Sequence, residues 1–297
     1  MKIGLALGSG AARGWSHIGV IRTLERHGIQ ADVVTGTSVG ALVAAACAAG
    51  NLDSLEDWVR SLTRLETARF FEIKTSLNGF VNTSRLHGFL NRHVAADDAM
   101  IEQLDITYAS VATDLATGRE VWMNRGSVLE SVWASISLPG MFPAIRIDNR
   151  WLADGGLVNP VPISVCRALG ADVVIAVNLN GDIVGRHFQK QQAPVRTVNP
   201  VISKITDLVS EYGLNVFSRS NNDAQPPGMF ESIAGSLNIM QDRITRSRMA
   251  GDPPEVLIAP RLSHLGLLEF YRAEEAIDEG EQCVERAMPQ IEQLLQN

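Results

Sequence analysis

Long apolar runs are missing from this sequence. The longest spans residues 41–49, well short of the roughly 20 residues a membrane-spanning helix needs. Cysteine is scarce. Cys47, Cys166 and Cys283 are odd in number and far apart, which leaves neither a disulfide framework nor a zinc-ligand spacing. Cys47 lies in an alanine-rich stretch and reads as core packing. A reducing cytoplasm is the simplest compartment for such a chain. Basic charge is also in deficit. Lys and Arg total 26 against 33 Asp and Glu, a net charge of −7. That argues against a partner gripped through its phosphates, so no nucleic acid is expected. It leaves room for a local basic patch against a membrane. Neither an internal repeat nor a metal-ligand cluster is visible.

What the chain does have is apolar content. Of its 297 residues 45% are hydrophobic, ample to offset chain entropy and exclude disorder. Residues 2–7 form a short apolar run ending at Gly8, which reads as a buried strand rather than a signal peptide. A helix is expected over 14–27, with Ile18, Ile21 and Leu24 on one face and Gly28 as its stop. Residues 31–35 read as a second strand and 38–49 as a small-residue helix. Two βα units in the first fifty residues predict a parallel sheet covered by helices. Helices are expected over 53–65 and 84–94, with Asp53 and Ser84 as caps. Residues 106–113 and 120–123 read as strands around a Thr117-Gly118 turn. Further expectations are a helix over 128–136, a hairpin of 144–147 with 151–153, a helix over 161–169 and a strand over 173–179. A helix over 229–249, a strand over 255–259 and a terminal helix from about 268 complete the chain. Between them, 181–228 reads as a mobile insertion. Within it Val201, Ile202, Ile205, Leu208, Val209 and Tyr212 share one helix face. That face suits docking on the core or contact with a membrane or partner.

Three segments carry chemistry. Gly36-Thr37-Ser38-Val39-Gly40 is a G-x-S-x-G sequence between a strand and a helix. Such a turn lifts the serine into view at a helix N-terminus, where free N–H groups favour developing negative charge. The plain alternative is a serine that only caps the helix. The loop Gly8-Ser9-Gly10-Ala11-Ala12-Arg13-Gly14 lies between the first strand and first helix, where backbone N–H groups cradle anions. Two functional readings compete there. A dinucleotide fingerprint fails at its third glycine, because Arg13 stands in that place and Asp32 does not rescue the match. The other is an oxyanion hole beside Ser38. A tight turn needing small residues is the plain alternative. The third segment is Asp154-Gly155-Gly156, by itself an ordinary turn. It matters because a serine nucleophile needs a base. None of His17, His27, His87, His93, His187 and His264 sits in a recognisable triad context. A carboxylate on a tight glycine turn can serve as the base directly.

Together these segments resemble the patatin-like phospholipases, in particular the bacterial members similar to neuropathy target esterase. The family order is a glycine-rich loop ending in Arg-Gly, then G-x-S-x-G, then Asp-Gly-Gly or Asp-Gly-Ala. Residues 135–143 resemble the family's proline-containing block before the acid. The 248–254 and 270–273 segments are similar to the C-terminal part of the bacterial subgroup. The resemblance covers nearly all of the chain outside 181–228. It implies one domain over 1–297, a three-layer α/β/α fold with a central, mainly parallel sheet and a nucleophile elbow. It implies Ser38 as nucleophile and Asp154 as general base, with the N–H groups of Gly10 and Ala11 as oxyanion hole. Gly8, Arg13, Gly14, Gly36, Gly40, Gly155 and Gly156 are then supporting residues, with Arg13 a loop anchor. The implied substrate is an acyl ester of a phospholipid or lysophospholipid, with no metal or cofactor. The implied setting is cytoplasmic, with peripheral contact at the inner face of the membrane as an option. Ser9 and Ala11 depart from the family's consecutive glycines, and alanine resists positive φ.

Three other readings compete. A Ser–His–Asp α/β-hydrolase would draw on His264, but that fold places several strands before its elbow. An NAD-binding protein is disfavoured by Arg13. A non-catalytic lipid-binding or regulatory protein on the same scaffold is the alternative from another class.

Overall fold

The computed structural model describes residues 1–70, 83–182 and 229–296. Among the described residues eight strands form one sheet. They are β1 (Ile3–Leu7), β2 (Val33–Thr37), β3 (Thr107–Asp114), β4 (Glu120–Met123), β5 (Ile145–Ile147), β6 (Arg150–Asp154), β7 (Val173–Val177) and β8 (Val256–Ile258). The order is β5-β6-β3-β2-β1-β7-β8, with β4 also paired to β3. Strands β8, β7, β1, β2 and β3 run parallel, while β4, β5 and β6 pair antiparallel.

Parallel strands need a cover on both faces, and the side chains divide accordingly. Leu5 and Leu7 of β1 and Ile175 and Val177 of β7 enter the larger core. It is shared with α1 (Ser16–Arg26), α2 (Val39–Ala48), α3 (Leu52–Ser61), α5 (Thr83–His93) and α9 (Ala273–Leu295). The alternate residues Ala6, Val174 and Ala176 enter a smaller core with α7 (Ile163–Ala168), and Met249 of α8 (Met229–Gly251) packs against it. This is the three-layer α/β/α arrangement. The period of two on each strand sends one set of side chains to each layer.

Strand β3 is the hub. Val111 pairs with Trp122 of β4 and Thr37 of β2, and Ala112 pairs with Val121 of β4 and Asp154 of β6. A residue has one neighbour on each edge of its strand, so β2 and β6 share the edge opposite β4. They meet head to head there, and Thr37 and Asp154 fall at consecutive positions along β3. This meeting positions the candidate site.

Several expectations shift. The second strand is Val33–Thr37 rather than 31–35, because residue 32 serves as a clamp: the Asp32 carboxylate accepts the Ile3 N–H at 2.8 Å. The 53–65 helix is two helices, α3 and α4 (Arg64–Phe70), broken where Leu62 turns extended at ψ 123°. Asn51 rather than Asp53 stands at the start of α3, and Asp53 lies in its first turn. The terminal helix begins at Ala273, after a short turn over Phe270–Arg272. That turn is pinned because Trp15 packs on Phe270 and donates its indole N–H to the Phe270 carbonyl at 3.2 Å. The insertion read over 181–228, with the 201–212 apolar face, lies outside the described residues beyond Asp182. Among the described residues no helix is long and apolar enough to cross a membrane.

Candidate active site

Ser38 ends β2 and opens α2 with φ 57° and ψ −127°. That is unfavourable for a side-chain-bearing residue and persists only where the surroundings impose it. Here they do. A Cβ on Gly40 would meet the Leu7 carbonyl oxygen at 2.2 Å, and one on Gly36 the Gly40 carbonyl oxygen at 2.3 Å. Only glycine lets the helix approach the strands this closely. The Ser38 side chain makes no cap to its own helix, so the reading of a mere capping serine is overturned. Its hydroxyl donates instead to Asp154 Oδ2 at 2.6 Å. The Ser38 N–H donates to Ser135 Oγ at 2.9 Å, and Ser135 donates to the Val111 carbonyl at 2.6 Å. Ser135 on α6 (Val128–Ile136) thus ties the elbow to the hub strand.

Asp154 ends β6 and is 1% exposed. Its Oδ1 accepts the Gly156 N–H at 2.7 Å, and Thr113 donates to its carbonyl at 2.7 Å. Gly155 is pressed on the hub strand, since a Cβ there would meet the Val111 carbonyl at 2.1 Å. Burial pushes the Asp154 carboxyl up to about 6, opposed by the bonds from Ser38 and Gly156. The result is a carboxylate more basic than usual, oriented by one N–H and facing one hydroxyl.

The 8–14 loop is anchored at nearly every other group. Gly8 and Ser9 donate to the Val177 and Pro160 carbonyls at 3.0 and 2.9 Å, and Ala12 donates to Leu267 at 3.1 Å. A Cβ on Gly14 would strike Val39 at 2.2 Å. The N–H groups of Gly10 and Ala11 donate no hydrogen bond among the described residues. The buried Arg13 guanidinium donates from Nε to the Gly10 carbonyl at 3.1 Å. Carbonyl and N–H point oppositely across a trans peptide, so holding that carbonyl turns the Ala11 N–H the other way. Burial lowers Arg13 to about 10, with Asp182 opposing, and it remains a cation. Ala11 does adopt φ 49°, the strain anticipated for a residue other than glycine, costing roughly 1–2 kcal/mol.

Sequence reasoning missed the support beneath this loop. Ser9 Oγ donates to Gln241 Oε1 at 3.1 Å, and Asn180 Nδ2 donates to the same oxygen at 3.0 Å. Arg13 donates to Asn238 Oδ1 at 3.2 Å. Asn238, Gln241, Asp242 and Thr245 are all buried on α8. The signal was a polar stripe at the i, i+3, i+4, i+7 spacing that marks an inward helix face.

An apolar cavity opens at Ser38. Ala11, Trp15, Leu42, Trp58, Phe89, Leu138 and Phe142 are among its walls, around a volume of about 80 Å³. No histidine among the described residues hydrogen-bonds to Ser38. His264 pairs with Glu275, and the buried His17 contacts the Gly8 carbonyl at 2.8 Å with its ring pushed down to about 4 by burial.

Residues 5–167 match the family model described as patatin-like phospholipase. An uncharacterized NTE family protein of Mycobacterium tuberculosis is 31% identical, over 98% of this chain and 92% of that one. Human patatin-like phospholipase domain-containing protein 6 is 34% identical over 60% of this chain and 13% of its own length. Among solved structures, VipD from Legionella pneumophila aligns over 96% of this chain and 67% of that one, with a TM-score of 0.44 and 14% identity. The chain belongs to the patatin-like phospholipase family.

Proposed function

We propose that this protein is a serine esterase that cleaves acyl esters of phospholipids or lysophospholipids. The observation that carries the reading is the 2.6 Å hydrogen bond from Ser38 Oγ to Asp154 Oδ2. In the reaction Asp154 accepts the Ser38 proton as the oxygen attacks the ester carbonyl. The Gly10 and Ala11 N–H groups receive the oxyanion, and each such donor is worth roughly 3 kcal/mol in comparable hydrolases. Asp154 returns the proton to the departing alcohol. Water, activated by the same carboxylate, then attacks the acyl-serine and frees the acid. The apolar cavity beside Ser38 suits the acyl chain, which gains about 0.8 kcal/mol for each methylene it buries.

The test is hydrolysis of lysophosphatidylcholine in detergent by the wild type, Ser38→Ala and Asp154→Asn, read as released fatty acid. The proposal expects turnover in the wild type alone. Full activity in Asp154→Asn would remove the dyad, and an inactive wild type would favour the binding-protein reading.

A further inference from the structure

One wall residue of the Ser38 cavity is out of keeping with the rest. Thr67 lies on α4, lines the cavity and is 1% exposed. Its Oγ1 is buried without a hydrogen-bond partner. Among the described residues no other residue of that wall leaves a buried side-chain nitrogen or oxygen unpaired. A threonine within a helix has a ready acceptor in the carbonyl four residues back. Here that carbonyl belongs to Thr63 and accepts the Thr67 N–H at 2.9 Å, without the hydroxyl. A buried hydroxyl left unpaired costs about 1–3 kcal/mol, and valine would fill much the same volume without that cost. The position is firmly held. Thr63 donates its N–H to the Glu66 carboxylate at 2.8 Å and accepts the Glu66 N–H on Oγ1 at 3.2 Å, a capping box that starts α4. The Arg64 guanidinium lies 4.8 Å from the Tyr271 ring centre, in the turn whose Phe270 also lines the cavity.

Threonine in a helix divides between two side-chain rotamers. A rotation about χ1 swings the hydroxyl through the methyl's place, so the oxygen can meet a ligand in the cavity. Exclusion defines that ligand. A buried water is held by two to four polar partners, which a wall of leucine and aromatic side chains does not supply. The other polar groups of the wall are engaged: Ser38 donates to Asp154, and the Trp15 indole donates to the Phe270 carbonyl. In the reaction proposed above, the ester oxygens are held at Ser38 and at the Gly10 and Ala11 N–H groups. A charged headgroup would lose its hydration against Leu62, Leu86 and Phe89. The part of the substrate left for the cavity is the acyl chain, so the missing partner has to be carried by the chain itself.

We propose that Thr67 pairs with a hydroxyl on the acyl chain, so that the preferred substrates are esters of hydroxylated fatty acids. The inference rests on the cavity being the acyl-chain site. A plain chain would leave the Thr67 oxygen buried and unpaired, which is how a polar group in an apolar site discriminates between substrates. The experiment is binding to the full chain carrying Ser38→Ala, which prevents turnover. The ligands are methyl octanoate and its hydroxylated forms, with the hydroxyl near the ester, in mid-chain or at the end. Methyl esters are neutral, so no second carboxylate faces Asp154. The proposal expects one hydroxylated ester to bind about tenfold more tightly than methyl octanoate. Adding Thr67→Val should abolish that preference, and Thr67→Ser, which keeps the hydroxyl, should retain most of it. Circular dichroism melts report whether each variant folds, and if Thr67→Val does not, the comparison of esters on its parent still decides. Equal binding of all the esters, no binding of any, or the same preference in a folded Thr67→Val would overturn the proposal. Hydrolysis of the same esters by the Ser38-intact protein is read separately. A hydroxyl preference in binding without turnover would keep Thr67 as assigned and remove the esterase reading, so the two failures are distinguishable.

Discussion

The two sides of the Ser38 cavity are built on opposite principles. On one side lie buried polar groups: Asp154 bonded to Ser38, and beneath the 8–14 loop the group Ser9, Asn180 and Gln241 and the pair Arg13 and Asn238. On the other are Trp15, Leu42, Trp58, Phe89, Leu138 and Phe142, which offer volume and little else. Buried polar groups are costly unless paired, and the pairing fixes their directions. An apolar wall accepts any shape that fills it. On the proposed reading the polar side sets the reaction geometry and the apolar side senses chain length. Changes on the first should move kcat and changes on the second should move substrate preference.

The largest effect that would test this division comes from the centre of the polar side. Ser38→Ala and Asp154→Asn should each lower kcat on a soluble nitrophenyl ester about a thousandfold or more. A loss below tenfold in either would contradict the assigned roles. Asp154 also carries a stability cost. Its folded carboxyl holds a proton up to about pH 6 against an ordinary value of 3.8. The folded state thus binds the proton more tightly, and stability falls as pH rises from about 4 to about 6. Asp154→Asn, free of that buried charge, should melt higher than the wild type at pH 8. A lower melting temperature there would count against a costly carboxylate.

Next in size is the pH response. Asp154, as the proposed base, works only when ionised, so kcat/KM should rise tenfold per unit up to about pH 6 and level above it. A profile with no inflection in the acid range would place the base elsewhere.

Gly40→Ala sharpens the comparison from below. Its new methyl meets the Leu7 carbonyl at 2.2 Å, and overpacking of this kind typically costs about 1–3 kcal/mol. Urea denaturation at neutral pH would measure it. An unchanged midpoint would mean that the elbow yields more easily than its contacts suggest.

The two smallest effects separate the sides most cleanly. Gln241→Leu removes the acceptor shared by Ser9 and Asn180 and should lower kcat about tenfold while KM hardly moves. Leu138→Trp fills part of the apolar cavity and should favour short acyl chains over long ones by about tenfold, with kcat on the short chain retained. The comparison breaks if the first shifts chain preference or the second lowers kcat on every chain length.

The same division explains what could be read from the sequence. The elbow was legible because its glycines and serine lie within five residues, and its constraint is local. Strand Glu120–Met123 and helix Val128–Ile136 have the extents their patterns indicate, since turn and cap signals flank both. Asp154 was legible only through its spacing from the other motifs, because an Asp-Gly-Gly turn carries no chemistry by itself. The head-to-head meeting of β2 and β6 that joins it to Ser38 is a property of the sheet. Gln241 was overlooked because its partner Ser9 is 232 residues away, and a glutamine in a helix ordinarily faces water. The break between α3 and α4 was hidden because polar and apolar residues continue through it at helical spacing.

The account rests on Ser38 being an activated nucleophile. The most direct test is to treat the folded protein with a fluorophosphonate and map the adduct by mass spectrometry, beside Asp154→Asn. The account predicts one adduct, on Ser38, formed rapidly in the wild type and far more slowly in Asp154→Asn. Labelling at another serine, or equal labelling of Ser38 in both proteins, would contradict it.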